Sequence, residues 1–148
     1  GTCLPLNKAH LMSKASDNSV ASSKAVTVLT YLHGVREAVN AIPEIQAAGH
    51  DVDLIELRSL KPLDLDTIRE SLSRTHKLCI LDESTQSGGV GASISALVGE
   101  ELFDELDAPV KRLCMDDAPV PYASSMEQAV VKRGSDLVIA VKELVDYV

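Results

Sequence analysis

A mostly parallel β-sheet covered by helices on both faces, a three-layer α/β/α sandwich, is the fold that this 148-residue sequence predicts. Three observations carry that expectation. From residue 25 onward, short β-branched apolar runs alternate with segments of helical hydrophobic spacing, the signature of successive βα units. Hydrophobic residues make up 45% of the chain but aromatics only 3%, with no Trp. The core must therefore be built from Val, Leu, Ile and Ala, the usual filling between a buried sheet and its helices. The length suits one ordinary domain with a real core.

Residues 1–24 are the least regular; 4–12 can supply an edge strand, and 13–24, rich in Ser, Ala, Lys and Asn, reads as a mobile loop. The run 26–31 (VTVLTY) is suited to a buried strand. A helix is predicted over 35–48, with Val35, Val39, Ile42 and Ile45 near helical spacing, Pro43 bending or dividing it, and Gly49 stopping it. A second strand spans 51–57, followed by a loop over 58–65. Asp66, or alternatively Asp64, then caps a short helix through Arg74. The run 77–81 (KLCIL) is a third strand, and 82–87 a polar loop. Gly88, Gly89 and Gly91 open a helix to about residue 106, with Ile94, Leu97, Val98 and Leu102 as its buried stripe. A fourth strand at 110–114, a proline-bearing loop at 116–123 and helices near 125–131 and 135–146 complete the chain. No repeat or long linker interrupts this order, so 25–148 is read as one domain behind the N-terminal segment 1–24.

The formal net charge of −8 repels phosphate backbones and favours a basic partner, and the scarcity of aromatics argues against base stacking. Nucleic acid is thus not an expected ligand. No apolar stretch approaches a membrane span, and the start shows no signal-peptide pattern. Cys3, Cys79 and Cys114 are too few and scattered for a disulfide framework, and no C-x-x-C pair offers a zinc or redox site. Cys79 and Cys114 lie in apolar runs and read as small core residues.

The candidate residues for chemistry assemble no self-sufficient active site. Residues 87–93 (SGGVGAS) place three glycines at a helix start, where backbone amides can receive an anion. The string is neither a dinucleotide fingerprint nor a P-loop, and a tight turn explains the same glycines. His10, His33, His50 and His76 are read as having no second ligand at i+2, i+3 or i+4, and His50 and His76 stand where solvated histidines are common. Asp82 and Glu83 fall at the carboxyl end of the third strand, where open α/β sheets place their crevices, and are expected to pair with Arg58 or Lys61. The acidic segment 99–107 (GEELFDELD) puts Glu101, Asp104 and Glu105 on the polar side of its helix; with Asp116 and Asp117, it could steer a basic partner.

The strings DLIELRSLKPLDLD (53–66), KLCILDE (77–83), GGVGA (88–92), LDAPV (106–110) and PVPYA (119–123), in this order, resemble the transketolase C-terminal domain as found in pyruvate dehydrogenase E1 β subunits. The resemblance covers 26–148. LDAPV followed by PVPYA points to the 2-oxoacid dehydrogenase β subunits, and Tyr122–Ala123 to pyruvate rather than branched-chain substrates. FDELDAPV and the R-T-H-K stretch look like plastid and cyanobacterial forms; DESTQS (82–87) departs from the usual pattern.

The resemblance implies a five-stranded sheet with one antiparallel edge strand, supplied by 4–12. It implies a holoenzyme that decarboxylates pyruvate oxidatively with thiamine diphosphate and Mg, held between an E1 α subunit and the N-terminal domain of a β subunit. No diphosphate, metal or catalytic histidine motif of that family matches here, so no catalytic, cofactor-binding or metal-binding residue is carried over and the chain alone is expected to be inactive. What it implies for this domain is assembly: pairing with a second E1 β subunit and docking of the basic subunit-binding domain of the E2 dihydrolipoyl acetyltransferase. The docking candidates are Asp107 of LDAPV and the terminal carboxylate of Val148, helped by Asp104; Lys111 stands where some relatives carry an acid. The implied location is the chloroplast stroma, or the cytoplasm of a bacterium, ahead of the mitochondrial matrix. The alternatives are the C-terminal domain of another thiamine enzyme, transketolase or a branched-chain dehydrogenase, and a free-standing nucleotide- or anion-binding module using 87–93.

Overall fold

Two kinds of sheet position are encoded in the strands. β1 (His10–Ser13) alternates exposed and half-buried residues, whereas β2 (Ala25–Thr30), a β-branched run, is buried at every residue. There follow α1 (His33–Ala47), β3 (Asp51–Glu56), α2 (Leu65–Thr75), β4 (Leu78–Thr85), α3 (Val90–Glu101), a 3₁₀ turn at Phe103–Glu105, β5 (Lys111–Met115), α4 (Ser124–Val130) and α5 (Gly134–Val145). This computed structural model describes residues 5–16 and 24–147. Cys3, Leu4, residues 17–23 of the expected loop and the docking candidate Val148 lie outside the described residues.

The strands form one sheet in the order β1-β3-β2-β4-β5. β2 runs parallel to β3, with Val28 opposite Leu54, and parallel to β4, with Leu29 opposite Ile80. β5 continues the parallel set beside β4. β1 pairs antiparallel with β3, His10 opposite Glu56, so the sheet is mostly parallel with one antiparallel edge strand. Each face is covered. Val26, Val28, Leu54, Cys79 and Leu81 pack beneath α1 and α5; Leu29, Ile55, Leu78 and Ile80 pack beneath α2 and α3. Burial pushes the Cys79 thiol up to about 12 and raises that of Cys114, which keeps both protonated core residues.

Several boundaries differ from the sequence expectation, each for a local reason. α1 is one continuous helix that packs through Ala38, Ala41 and Ile45, while Val39 is 41% exposed. Small residues face inward because α5 comes close: a Cβ on Gly134 would stand 2.8 Å from the Glu37 carbonyl and 3.3 Å from the Ala41 methyl. Pro43 is exposed and leaves the Val39 carbonyl without its helical donor on the solvent side, so it does not divide the helix. Asp64, not Asp66, caps α2, accepting from the Thr67 amide at 3.3 Å and its hydroxyl at 2.7 Å. β4 continues through Thr85 where a polar loop was expected from residue 82, because the Asp82 side chain is buried. α3 ends at Glu101, since Leu102 is buried as the chain tightens into the 3₁₀ turn; Asp104 and Glu105 belong to that turn and not to the side of α3.

A buried polar network joins the N-terminal segment to the sheet. Asp53 is fully buried and accepts from the Ala15 amide at 2.7 Å, the Ser71 hydroxyl at 2.6 Å and the Arg74 guanidinium. The Thr27 hydroxyl shares hydrogen bonds of 2.6 Å with Ser71 and with Thr75, which ties β2 to α2. Removing the arginine would leave an uncompensated carboxylate in the core. Arg74→Met is therefore expected to lower the unfolding free energy by about 3 kcal/mol, measured by urea denaturation. A loss within about 0.5 kcal/mol, the ordinary range for surface substitutions, would show that the amide and hydroxyl donors suffice.

Candidate functional site

The order of the strands fixes where a ligand crevice would open. α1 leaves β2 toward one face and α3 leaves β4 toward the other, so the strand order reverses between β2 and β4. Such switch points are the usual ligand crevices of open α/β sheets. Here the chain fills part of the crevice with its own groups, and a recess of about 320 Å³ lined by His33, Glu83, Met115, Glu127 and Arg133 remains beside them. The Tyr31 hydroxyl donates to Asp82, and the Gly34 amide, in the first turn of α1, donates to Glu83 at 2.9 Å. Asp82 also accepts from the Ser84 amide at 2.8 Å and from the Gly91 amide, in the first turn of α3, at 2.6 Å. Arg58 pairs with Glu56 at 3.2 Å, so the expected ion pair from Asp82–Glu83 to Arg58 is replaced by these contacts.

The same device recurs at the starts of α5 and α2, though not at α4, which has no side-chain cap. Glu37 accepts from the Gly134 amide at 3.0 Å and Asp136 from the Arg133 amide at 2.7 Å at the start of α5, while Asp64 caps α2. An anion at a helix N-terminus meets unpaired amides and the positive end of the helix dipole. At α1, α2, α3 and α5 that anion is a carboxylate of the chain itself. The glycine turn follows from it. Gly88 has φ +72°, and a Cβ on Gly89 would stand 2.4 Å from the Thr85 carbonyl. A Cβ on Gly91 would stand 2.8 Å from the Asp82 carboxylate, so these glycines admit the chain's own carboxylate and backbone.

Electrostatics agree with the geometry. Burial alone would raise the Asp82 carboxyl, but hydrogen bonds from the Ser84 side chain, from Tyr31 and from the Ser84 and Gly91 amides hold it below the usual carboxylate range. Tyr31 moves the other way: its burial, then the bond to Asp82 and that residue's charge, raise its phenol well above the ordinary value. Beside the crevice, His33 Nε2 lies 3.3 Å from Glu37 and 3.3 Å from the Arg133 guanidinium. His33 and Glu37 are one helical turn apart, an i+4 pairing that corrects the expectation of no histidine partner at i+2 to i+4.

A second concavity lies at the opposite, amino end of β5. It is a groove of about 500 Å³ whose walls include Gly99, Phe103, Asp107, Pro109, Val110 and Tyr147. Tyr147 also lines an adjoining recess of about 220 Å³ beside Lys111 and Glu143, which pair with each other. Phe103 is 70% and Tyr147 51% exposed, so the groove presents aromatic surface. Asp107 stands on one wall, and Asp104 lies in the 3₁₀ turn immediately before it. Among the described residues neither carboxylate has a hydrogen-bond partner, in contrast to those at the crevice. Tyr147, on the other wall, is the residue before Val148. Aromatics on the far wall were not anticipated; Phe103 and Tyr147 sit in acidic strings whose apolar members look incidental.

A mostly parallel sheet of this order with an antiparallel edge strand defines a class, and comparison with known proteins places the chain in it. Residues 18–135 match the family described as transketolase, C-terminal domain, and the chain belongs to that family. A split-gene transketolase solved as an inactive β4 tetramer has the same fold, with a TM-score of 0.79 at 19% identity over 96% of this chain and 43% of that one. Sequence relatives are more particular. The pyruvate dehydrogenase E1 component subunit β of Porphyra purpurea is 40% identical over 143 residues, 97% of this chain and 41% of that subunit. The chloroplastic subunit β-2 of Arabidopsis thaliana is 38% identical over 125 residues, 84% of this chain and 31% of that one. The chain thus spans less than half the length of these curated relatives.

The depressed Asp82 carboxyl yields a pH dependence of definite sign. A group held below its unfolded value contributes stability above about pH 4 and loses it as pH falls through the folded value. Asp82→Asn should therefore be less stable than wild type near neutrality, with a shallower decline between about pH 5 and about pH 2, followed by thermal unfolding across that range. Parallel curves for the two proteins would mean that Asp82 does not supply this acid sensitivity.

Proposed function

We propose that the chain is the C-terminal assembly domain of a pyruvate dehydrogenase E1 β subunit, supporting β-subunit pairing and docking the subunit-binding domain of the E2 dihydrolipoyl acetyltransferase. The relatives named as E1 β subunits support the first half, and one observation carries the second. Asp107 and Tyr147 line a single aromatic groove, Asp104 lies in the 3₁₀ turn that also supplies Phe103, and neither carboxylate has a partner among the described residues. Unpaired acids beside exposed aromatic rings suit a basic partner: charge steers encounter, and the rings supply the apolar anchor. The formal charge of −8 adds long-range attraction of the same sign.

The holoenzyme's reaction, oxidative decarboxylation of pyruvate with acetyl transfer to the lipoyl group of E2, requires an E1 α subunit and the rest of β. No residue of this chain is proposed to hold thiamine diphosphate. Carboxylates at the starts of α1, α2, α3 and α5 weigh against a diphosphate there, since they already accept from the free amides. The cofactor and its Mg are assigned to the remainder of the holoenzyme, and the chain alone is inactive on this reading. The chloroplastic relatives support a plastid location; no helix among the described residues is long and apolar enough to cross a membrane. The same filled helix starts weigh against a free-standing anion or nucleotide module, and PVPYA favours pyruvate over branched-chain substrates.

Surface plasmon resonance with a recombinant E2 subunit-binding domain tests the reading. Wild type is expected to bind, with association slowing as salt rises. Asp107→Lys should weaken binding at least about tenfold, since loss of a paired interfacial charge costs on the order of 2–5 kcal/mol. Full affinity in that variant would move the docking site elsewhere.

A further inference from the structure

The two walls of the groove come from distant parts of the chain, yet adjacent residues hold them. The chain leaves α2 at His76, a left-handed residue (φ 55°) whose amide donates to the Leu72 carbonyl at 2.8 Å and so ends that helix. The His76 carbonyl accepts the Asp107 amide at 2.8 Å, and its ring Nδ1 lies 3.1 Å from the Glu105 carbonyl, in the geometry of a protonated Nδ1 donating to it. The very next residue reaches the other wall. Lys77 is 7% exposed, its carbonyl accepts the Thr27 amide at 2.9 Å, and its ammonium donates to the Val145 carbonyl at 3.2 Å. Val145 is the last residue of α5, two before Tyr147. A final-turn carbonyl lacks a helical donor and stands at the negative end of the helix dipole, so a buried ammonium is well matched to it.

We propose that the His76–Lys77 dipeptide is the positioning element of the docking groove: His76 holds the Asp107 wall through its carbonyl and ring, and Lys77 holds the Tyr147 wall through the end of α5. This inference rests on the docking reading for its consequence and on the geometry above for its substance. Because both residues are anchored in the sheet and in α2, the spacing between Asp107 and Tyr147 is fixed before a partner arrives. Such preorganisation removes an ordering cost that the partner would otherwise meet on binding. Neither residue touches the partner in this account. The apolar stem of Lys77 fills core volume, so methionine at this position keeps the packing and removes only the ammonium.

The test uses the whole chain, with amide hydrogen exchange and E2 subunit-binding-domain affinity read on the same samples. Lys77→Met should speed exchange at Asp146 and Tyr147 at least about tenfold while β2 amides keep wild-type protection, because only local opening is affected. It should also weaken E2-domain binding at least about fivefold, mainly through faster dissociation. Lys77→Arg should restore both. His76→Asn, which tolerates the left-handed backbone and loses the ring contact, should instead loosen the amides around Asp107 and leave those at Asp146 and Tyr147 protected. Unchanged exchange at Asp146 and Tyr147 in Lys77→Met, or unchanged affinity where wild type binds, overturns the proposal. If wild type does not bind, the docking reading fails and with it the proposed consequence, while the exchange data still decide whether Lys77 holds the end of α5. Should Lys77→Met fail to fold, His76→Asn carries the test alone, and wild-type exchange around Asp107 in that variant overturns the proposal.

Discussion

Backbone amides at the start of a helix need an acceptor, and in a parallel sheet the connecting helices bring several such starts to one end of the molecule. In this chain the need is met internally. Asp82 serves α3, Glu83 α1, Asp64 α2, and Glu37 with Asp136 α5. Most other features of that end follow. The glycines after β4 are small because Asp82 and the Thr85 carbonyl crowd the turn. Tyr31 and Gly34 bridge β2 to β4 across the switch point, and part of the crevice that many α/β enzymes use for substrate is taken into the packing.

The opposite end inverts this distribution. Asp104 and Asp107 have no partner among the described residues, and two aromatic side chains stand exposed beside them. A chain with surplus negative charge can place it where it stabilises the fold or where it meets another molecule. Here carboxylates that stabilise the fold and carboxylates without a partner among the described residues lie at opposite ends of one sheet. The proposed docking role draws on the second group.

Periodicity made most of the fold legible. The β-branched runs at β2 and β3 and the apolar run of β4 have the two-sided burial that their composition implies, and the helical stripe of Ile94, Val98 and Leu102 is buried as spaced. What escaped was polar residues with structural work. DEST reads as a loop by hydropathy, yet Asp82 is buried because an α3 amide and a tyrosine hydroxyl solvate it. The inward face of α1 was misjudged because close approach of α5 selects alanine over the larger Val39. At the groove, Asp107 was named through its LDAPV string, but the opposing Tyr147 and the Lys77 that holds its helix lie 40 and 30 residues away along the chain, and no local pattern marks such a convergence.

The proposed reading is that carboxylates of the chain itself occupy the helix starts at one end of the sheet, and that the groove at the other end receives a basic partner. Chemical-shift mapping on the ¹⁵N-labelled chain tests it most directly, with thiamine diphosphate plus Mg added to one sample and the E2 subunit-binding domain to another. The account predicts that the cofactor leaves the spectrum unchanged, while the E2 domain shifts amides at Phe103, Asp107, Val110 and Tyr147 and spares those at Gly34, Ser84 and Gly91. Saturable shifts at Gly34 or Gly91 with the cofactor, or E2-induced shifts confined to that end, would contradict it.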